Sequence, residues 1–210
     1  MYIPAHFDLK DLAAAQALMR ARSFATLVST GEDGAPFVTH LPLLLQDDAA
    51  APHGRLIGHV ARPNPHWRLF DRGAPSLAVF HGPHAYISPN WYTSPNLVPT
   101  WNYTAVHAYG TPRILADSNQ ALAVVEQLAA WFEASLPQPW STARLPPGNA
   151  LAQMRGIVAF EMPIERLEAK AKVGQNRLAA DQRSAADALA AQGGEDNTAI
   201  AALMRGTPRG

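Results

Sequence analysis

Prolines set among aromatic residues between positions 80 and 110 constrain this fold more than any other feature. Prolines at 83, 89, 95 and 99 exclude a helix there, because proline lacks an amide hydrogen and clashes with the preceding turn. The same stretch holds two of the five tryptophans and four of the five tyrosines. Tyr and Trp join a large apolar surface to one polar group, so the stretch predicts the wall of a pocket for a flat, polar-edged ligand.

A structural role is the alternative interpretation, because aromatic residues are also favoured in the strands of an all-β core. The loop 90–96 favours the pocket. It places Trp91 and Tyr92 among residues that break helices and strands, and loops carried by rigid strands often hold binding groups.

Seven segments rich in β-branched and aromatic residues predict short strands. The first two are joined by a short Gly-containing turn and predict a β-hairpin, and Gly110-Thr111-Pro112 interrupts the sixth. The predicted strands are 24–30, 36–45, 55–61, 76–80, 85–88, 101–115 and 157–167.

Helical periodicity occurs near both ends of the chain and between strands. Asp8 is the predicted N-cap of the first helix, and Ser118 that of the most regular amphipathic helix. The predicted helices are 9–22, a short one ending at Phe70, 118–135, a short one near 150–154, and two in the Ala-rich tail 178–206, divided at Gly193-Gly194. The whole pattern predicts a mainly β, α+β fold, an antiparallel β-barrel with appended helices, with a sandwich as the alternative.

Composition excludes several classes of function. Lys plus Arg and Asp plus Glu number 17 each, so zero formal charge argues against strong direct binding to DNA. The absence of cysteine excludes disulfides and thiol chemistry. The N-terminal residues lack a signal pattern and no run of about 18 apolar residues occurs, which predicts a cytoplasmic protein outside the membrane. No nucleophile elbow, dinucleotide-binding motif or P-loop is present.

Two clusters of basic and hydrogen-bonding residues predict an anion clamp, because charge-assisted bonds hold phosphate well. One joins Thr39-His40 to the later segment 59–64, and the other is 170–177, interpreted as a polar link. Solvated surface positions for the arginines are the alternative. A metal or haem site using His81, His84 or His107 is a weaker alternative, because no cysteine or nearby acid accompanies these imidazoles.

Several long motifs resemble the PaiB-like family of FMN-binding negative transcriptional regulators. They are residues 82–92 (GPHAYISPNWY), 98–103 (VPTWNY), 106–107 and the late Lys170-x-Lys172-x-x-Gln175-Asn176-Arg177, with 1–4, 39–42 and 59–65 in support. The likeness spans the chain to about residue 177. It predicts one domain over 1–177, including the inserted helix 118–135, and a helical tail over 178–210 packed on the barrel.

This resemblance implies an antiparallel split β-barrel, a homodimer, and FMN in a cleft between subunits. Thr39, His40 and Leu41 are implied to lie along the isoalloxazine ring or ribityl chain, and Arg62, Asn64 and Lys172 at the phosphate. The remaining implied cofactor-binding residues are Ser88, Trp91, Tyr92, Trp101, Asn102, Tyr103, Gln175 and Asn176. DNA is expected as a partner only because the family description names transcriptional regulators. The resemblance assigns no catalytic residue and no metal ligand.

One departure from the family concerns the late motif. Relatives commonly have Leu-Ser where this chain has Val173-Gly174, so a hydroxyl donor is missing. The function expected from the resemblance is an FMN-binding regulator of the PaiB type or a flavin-dependent oxidoreductase. The alternative is a ligand-, haem- or metal-binding barrel without flavin turnover that acts through partner proteins.

Overall fold

A computed structural model describes residues 1–206 and shows an α+β chain with two antiparallel sheets. The five-stranded sheet has the order β2-β1-β5-β6-β9 and the four-stranded sheet the order β3-β4-β8-β7. The strands are β1 Phe24–Thr30, β2 Pro36–Pro42, β3 Leu44–Asp48, β4 Ala51–Ala61, β5 Ser76–Ile87, β6 Thr100–Gly110, β7 Arg113–Ile114, β8 Ile157–Pro163 and β9 Arg166–Lys172.

Six α-helices and four short 3-10 helices occur in the described part of the chain. The α-helices are α1 Leu12–Ala21, α2 Trp67–Asp71, α3 Ser118–Glu133, α4 Asn149–Gln153, α5 Ala179–Gln192 and α6 Glu195–Gly206. The 3-10 helices are Ala5–Phe7, Pro89–Trp91, Thr142–Arg144 and Met154–Gly156. None of the described helices is long and apolar enough to cross a membrane.

The chain forms two compact units. Unit one comprises residues 1–18, 81–106 and those from 168 onward, and unit two comprises 19–80 and 107–167.

The core of unit one unites strand residues with the two C-terminal helices. Ala85 and Ile87 of β5 and Val173, which follows β9, are buried in one cluster with side chains of α5 and α6. Those helical residues are Ala185, Ala186, Leu189, Ile200, Ala201 and Met204. Small alanines on both helices are compatible with close packing between them, which explains why an Ala-rich segment without a strong apolar stripe is nevertheless buried.

The core of unit two packs α3 against β4 and β8. Val124 and Leu128 of α3 share a cluster with Ile57 and Ala159 of these strands. Two aromatic rings also pack together in this unit. The ring centroids of Phe70 in α2 and Phe160 in β8 are 4.8 Å apart. Apolar burial of this kind contributes about 25 cal/mol per Å².

The structure corrects both predicted caps. Asp11, not Asp8, accepts hydrogen bonds from the first amides of α1, while Asp8 forms an isolated β-bridge with Lys170. Asp117, not Ser118, accepts from the amides of residues 119 and 120 at the start of α3. In each case the carboxylate that lies close to the first free amides takes the cap position.

Several boundaries also differ from the prediction. The expected strand 36–45 is two strands, the expected strands 76–80 and 85–88 are one continuous β5, and the polar link at 170 begins inside β9. Gly82-Pro83, between the two expected strands, lies within β5. Gly82 is required there, because a Cβ would lie 1.9 Å from Thr104 Oγ1. The last four residues of the predicted tail, 207–210, lie outside the described residues.

Candidate functional site

The first group of predicted site residues lies in unit two, where β2 places Thr39 beside the turn after β4. The Oγ1 atom of Thr39 accepts a hydrogen bond from Asn64 Nδ2 at 3.1 Å and lies 2.8 Å from His66 Nδ1. Asn64 Oδ1 accepts from the His66 amide at 3.0 Å, which caps the turn leading into α2. Thr39 and Asn64 are therefore in direct contact.

His66 connects this pair to a buried hydroxyl pair. Its ring is 0% exposed, and Nε2 lies 2.8 Å from Ser29 Oγ, which lies 2.5 Å from Ser76 Oγ. The rings of Phe37 and Phe70 flank it at centroid distances of 4.9 and 5.0 Å. Burial lowers the pKa of His66 to about 4, so the ring is neutral at physiological pH.

The other predicted residues of unit two differ in how exposed their side chains are and in the partners that they already have. Arg62 is exposed, and its guanidinium donates to the carbonyl oxygens of Arg155 at 2.9 Å and Ile157 at 2.7 Å. His40 is exposed, with Nδ1 at 3.0 Å from Thr26 Oγ1. Leu41 is only 4% exposed, so its side chain belongs to the core.

The second group lies in unit one and centres on Lys172 at the end of β9. Its ammonium group donates to Thr100 Oγ1 and, at 2.7 Å, to the carbonyl oxygen of Trp101. Burial lowers the pKa of Lys172, and the positive charges of Lys170 and Arg177 lower it further. Lys170 and Arg177 thus place two further positive charges near the Lys172 ammonium group.

Aromatic rings surround these cations. Lys170 Nζ lies 5.1 Å from the ring centroid of Tyr103 and donates to the Tyr2 carbonyl at 3.1 Å. The Arg177 guanidinium lies 5.3 Å from the ring of Tyr92. Burial raises the pKa of the Tyr92 hydroxyl, and Arg177 opposes that effect. These distances are typical of cation–π contacts, which hold the charged groups in place.

The late motif forms a tight turn after β9. Gln175 accepts from the Val173 amide at 2.8 Å and donates to the Ala171 carbonyl at 2.6 Å. Gly174 has φ +83°, a left-handed conformation that side-chain-bearing residues rarely adopt, and its position is buried. Glycine in place of the family's serine is therefore suited to this backbone. Asn176 is exposed.

Ser88, Trp91 and Trp101 line a cavity of about 630 Å³ in unit one. Trp101 is 54% exposed and meets Tyr86 edge to face at 5.9 Å. The cavity also includes Asp196, whose carboxylate lies 3.2 Å from His84 Nδ1. This volume lies within the range of small-molecule sites, roughly 300–1,000 Å³. Asn102, in contrast, is 2% exposed.

One carboxylate anchors the aromatic loop that follows β5. Asp181 of α5 is 1% exposed and accepts from the amides of Thr93 at 2.7 Å and Ser94 at 2.8 Å. Burial raises the pKa of Asp181, but the hydrogen bonds from Ser94 and Thr93 outweigh it and lower the pKa to about 2. The loop carrying Trp91 and Tyr92 is therefore tied to a C-terminal helix.

A metal site requires several His, Asp or Glu side chains that converge on one point within the described residues. No group of three or more His, Asp or Glu side chains there is arranged to hold a metal ion. His84, one of the imidazoles considered for a metal site, is paired with Asp196.

Two solved structures share this fold. The flavocytochrome Anf3 from Azotobacter vinelandii matches with a TM-score of 0.61, 15% identity, and coverage of 78% of this chain and 68% of that one. A FAD and haem binding protein from Mycobacterium smegmatis matches with a TM-score of 0.60, 17% identity, and coverage of 77% and 71%. Identities this low establish the fold alone, and that fold is the antiparallel split β-barrel.

Sequence comparison gives the family. The model described as "Putative FMN-binding domain" matches residues 1–166. Protease synthase and sporulation protein PAI 2 of Bacillus subtilis (strain 168) is 36% identical over 206 residues, which cover 97% of this chain and 96% of that protein. The chain therefore belongs to the FMN-binding, PaiB-like family that its motifs resembled, and FMN is its cofactor.

The side chains present fit this cofactor. The mutually repelling cations Lys170, Lys172 and Arg177 fit a phosphate dianion, and Trp101 offers a half-exposed indole face for a flat ring. Sequence reasoning missed His66 and Asp181 as supports of the candidate residues. His66 contacts Thr39, 27 positions away in the sequence, and Asp181 contacts Thr93, 88 positions away. Local sequence patterns do not indicate contacts over such distances.

Proposed function

We propose that this chain is an FMN-binding homodimer of the PaiB type in which Lys172 binds the cofactor's phosphate. When bound, FMN supplies redox chemistry, so the dimer acts as a redox-responsive regulator or a flavin-dependent oxidoreductase. The observation that carries the phosphate assignment is the position of the Lys172 ammonium group, which Thr100 and the Trp101 carbonyl hold in place and on which the positive charges of Lys170 and Arg177 act.

The geometry at Lys172 supports phosphate as the ligand. An ammonium group has three hydrogens, and two are used by Thr100 and the Trp101 carbonyl. The third remains for an anion. A phosphate here would relieve the repulsion among the three cations, so its binding raises the pKa of Lys172. Arg62 is less suited, because two main-chain carbonyls already occupy part of its guanidinium.

Titration of Lys172→Gln with FMN and with riboflavin tests the phosphate contact. Loss of a charge-assisted bond of about 1.5–3 kcal/mol weakens FMN binding by about 10- to 150-fold. Riboflavin lacks the phosphate, so its affinity should change by less than about twofold. Lys10→Gln, at an exposed lysine of unit one, is the matched control. Equal losses for both flavins would remove Lys172 from the phosphate site.

The remaining residues are proposed in the roles that the resemblance implied. Thr39, His40 and Leu41 lie along the ring or ribityl chain, Leu41 through its main chain because its side chain is buried. The residues proposed to contact or enclose the flavin are Ser88, Trp91, Tyr92, Trp101, Asn102, Tyr103, Gln175 and Asn176. Alanine substitution of Trp101 tests the stacking part, and unchanged flavin fluorescence quenching would argue against it.

An exposed apolar surface supports the homodimer. Phe24 of β1 is 69% exposed and Val38 of β2 is 46% exposed. Because residues 28 and 38 are directly paired across β1 and β2, Val28 lies beside Val38 on the same face. These apolar side chains share one exposed sheet face, with the Thr26–His40 pair between them, and such exposed apolar side chains mark contact surfaces. Sedimentation of the wild type and of Phe24→Glu/Val38→Glu should give a dimer and a monomer, respectively, and a monomeric wild type would refute the proposal.

Regulation through DNA is the second part of the proposed function. Zero formal charge predicts weak direct contact, since nonspecific affinity arises chiefly from phosphate neutralisation. A gel-shift series over salt concentration tests direct binding, and no shift at low salt would leave regulation through a partner protein. The cytoplasmic location stays a prediction.

A further inference from the structure

A chain of hydrogen bonds in unit two runs from Thr39 through His66 and Ser29 to Ser76. The His66 ring is enclosed, and its two nitrogens meet the Thr39 and Ser29 hydroxyls at 2.8 Å each. Each hydroxyl has one hydrogen, and neutral imidazole has one N–H and one acceptor nitrogen. The direction of one bond therefore determines the direction of the next.

The far end of the chain sets this direction. Only one direction satisfies every contact in the chain: Ser76 donates to the carbonyl oxygen of Ala74 at 3.3 Å, which can only accept, and Ser76 therefore accepts from Ser29 at 2.5 Å. Ser29 has then used its only hydrogen and accepts from His66 Nε2. His66 consequently carries its hydrogen on Nε2, and its Nδ1 is an acceptor.

The number of available hydrogens also determines the hydrogen bonds at Thr39. Nδ1 of His66 can only accept, so the Thr39 hydroxyl donates to it. Thr39 Oγ1 also accepts from Asn64 Nδ2 at 3.1 Å. A hydroxyl oxygen has two acceptor sites, so one lone pair of Thr39 remains and no hydrogen does.

We propose that His66 is a positioning residue that makes Thr39 a hydrogen-bond acceptor, and never a donor, toward the bound flavin. The flavin group facing Thr39 is then an N–H or O–H: the imide N–H of the isoalloxazine ring or a hydroxyl of the ribityl chain. A carbonyl or phosphate oxygen is excluded, because two acceptors without a hydrogen repel each other. The inference rests on the proposed placement of FMN along Thr39 and assigns the polarity of that contact.

The tautomer of His66 is measurable without any ligand. Long-range ¹H–¹⁵N correlation spectra of the ligand-free protein distinguish Nε2–H from Nδ1–H. We expect a single Nε2–H tautomer in the wild type. In Ser76→Ala the Ser29 hydroxyl loses its acceptor and can donate to Nε2, so an Nδ1–H population should appear. A wild-type Nδ1–H tautomer would overturn the inference.

Flavin titrations test the consequence at Thr39. Phenylalanine at position 66 keeps a flat ring between Phe37 and Phe70 but leaves the Thr39 hydroxyl free to rotate, so it no longer holds a lone pair toward the ligand. His66→Phe should weaken FMN and riboflavin binding by the same factor of about ten, the value of one well-placed hydrogen bond. His81→Phe, at an exposed histidine, is the matched control and should change neither affinity.

The outcomes separate the two proposals. A wild type that binds neither flavin refutes the proposed function, while the ligand-free tautomer still tests the hydrogen-bond direction. Wild-type binding that is unchanged in His66→Phe overturns the role of His66. If His66→Phe weakens FMN binding more than riboflavin binding, the phosphate lies at Thr39, and the proposed role of His66 is wrong as well. If His66→Phe does not fold, Ser76→Ala decides through its tautomer ratio.

Discussion

Mild acid is expected to destabilise this protein through one buried side chain, His66. Its pKa is about 4 in the folded chain and 6.5 in an unfolded one. Between pH 6.5 and 4 the unfolded state binds a proton at this ring and the folded state does not. The free energy of unfolding therefore falls as the pH falls through this range. The full difference, at 1.36 kcal/mol per pKa unit, has an upper limit of about 3 kcal/mol, of which about 2 kcal/mol is lost by pH 5. The ring is 0% exposed, so solvent does not screen the effect.

Urea denaturation at a series of pH values between about 7.5 and 5 measures this loss. His66→Phe has no group to titrate at this position, so its free energy of unfolding should fall by about 2 kcal/mol less than that of the wild type over the same range. All other titrating groups, including His59, are common to both proteins, and the difference in slope isolates His66. Parallel curves for the two proteins would refute the argument, because they would show that the buried ring takes up its proton normally.

Two further predictions concern Gly82 and the carboxylate of Asp181. Gly82→Ala places a Cβ 1.9 Å from Thr104 Oγ1 and should cost about 1–3 kcal/mol in urea denaturation. Thr104→Ala in the same chain should restore part of the loss, whereas Gly156→Ala, with nothing within 4 Å, should stay within about 0.5 kcal/mol. Asp181 has a lowered pKa of about 2, so its stabilising effect is complete above pH 3.8 and is lost as pH falls through about 2. Asp181→Asn should therefore speed hydrogen exchange of the Ser94 amide at neutral pH, and unchanged exchange would show that the charge is unimportant to the loop.

The sequence predicted elements well where local chemistry decides them. The run 24–30 became β1 with its predicted bounds, and Gly193-Gly194 separated α5 from α6. The caps were wrong because several polar residues precede each helix and only the three-dimensional path selects the one that reaches the free amides. The late strand β9 was missed because its lysines suggested a solvated link, whereas Lys170 is 6% exposed and its amine reaches the Tyr2 carbonyl.

Motifs in the sequence name the candidate site residues, but they do not indicate the side chains that hold those residues in place. Thr39, Asn64 and Lys172 came from the family resemblance, and the structure shows what each contacts. His66 lies two residues after Asn64, just outside the motif 59–65, and its importance depends on its contact with Ser29 of β1. Pairing between distant strands determines such contacts, and neither periodicity nor propensity contains that information.

The C-terminal helices also affect the order in which the protein can be made. Every residue of unit two precedes position 168, whereas the core of unit one needs Ala85 and Ile87 from the middle of the chain together with side chains of α5 and α6 from its end. During synthesis the aromatic strand β5 must therefore wait until more than 90 further residues have been added before that cluster can close. Over this interval Ile87 lacks the helices that bury it in the folded chain, so the time needed to translate the residues from 88 to the end of α6 sets the shortest time before the cluster can close.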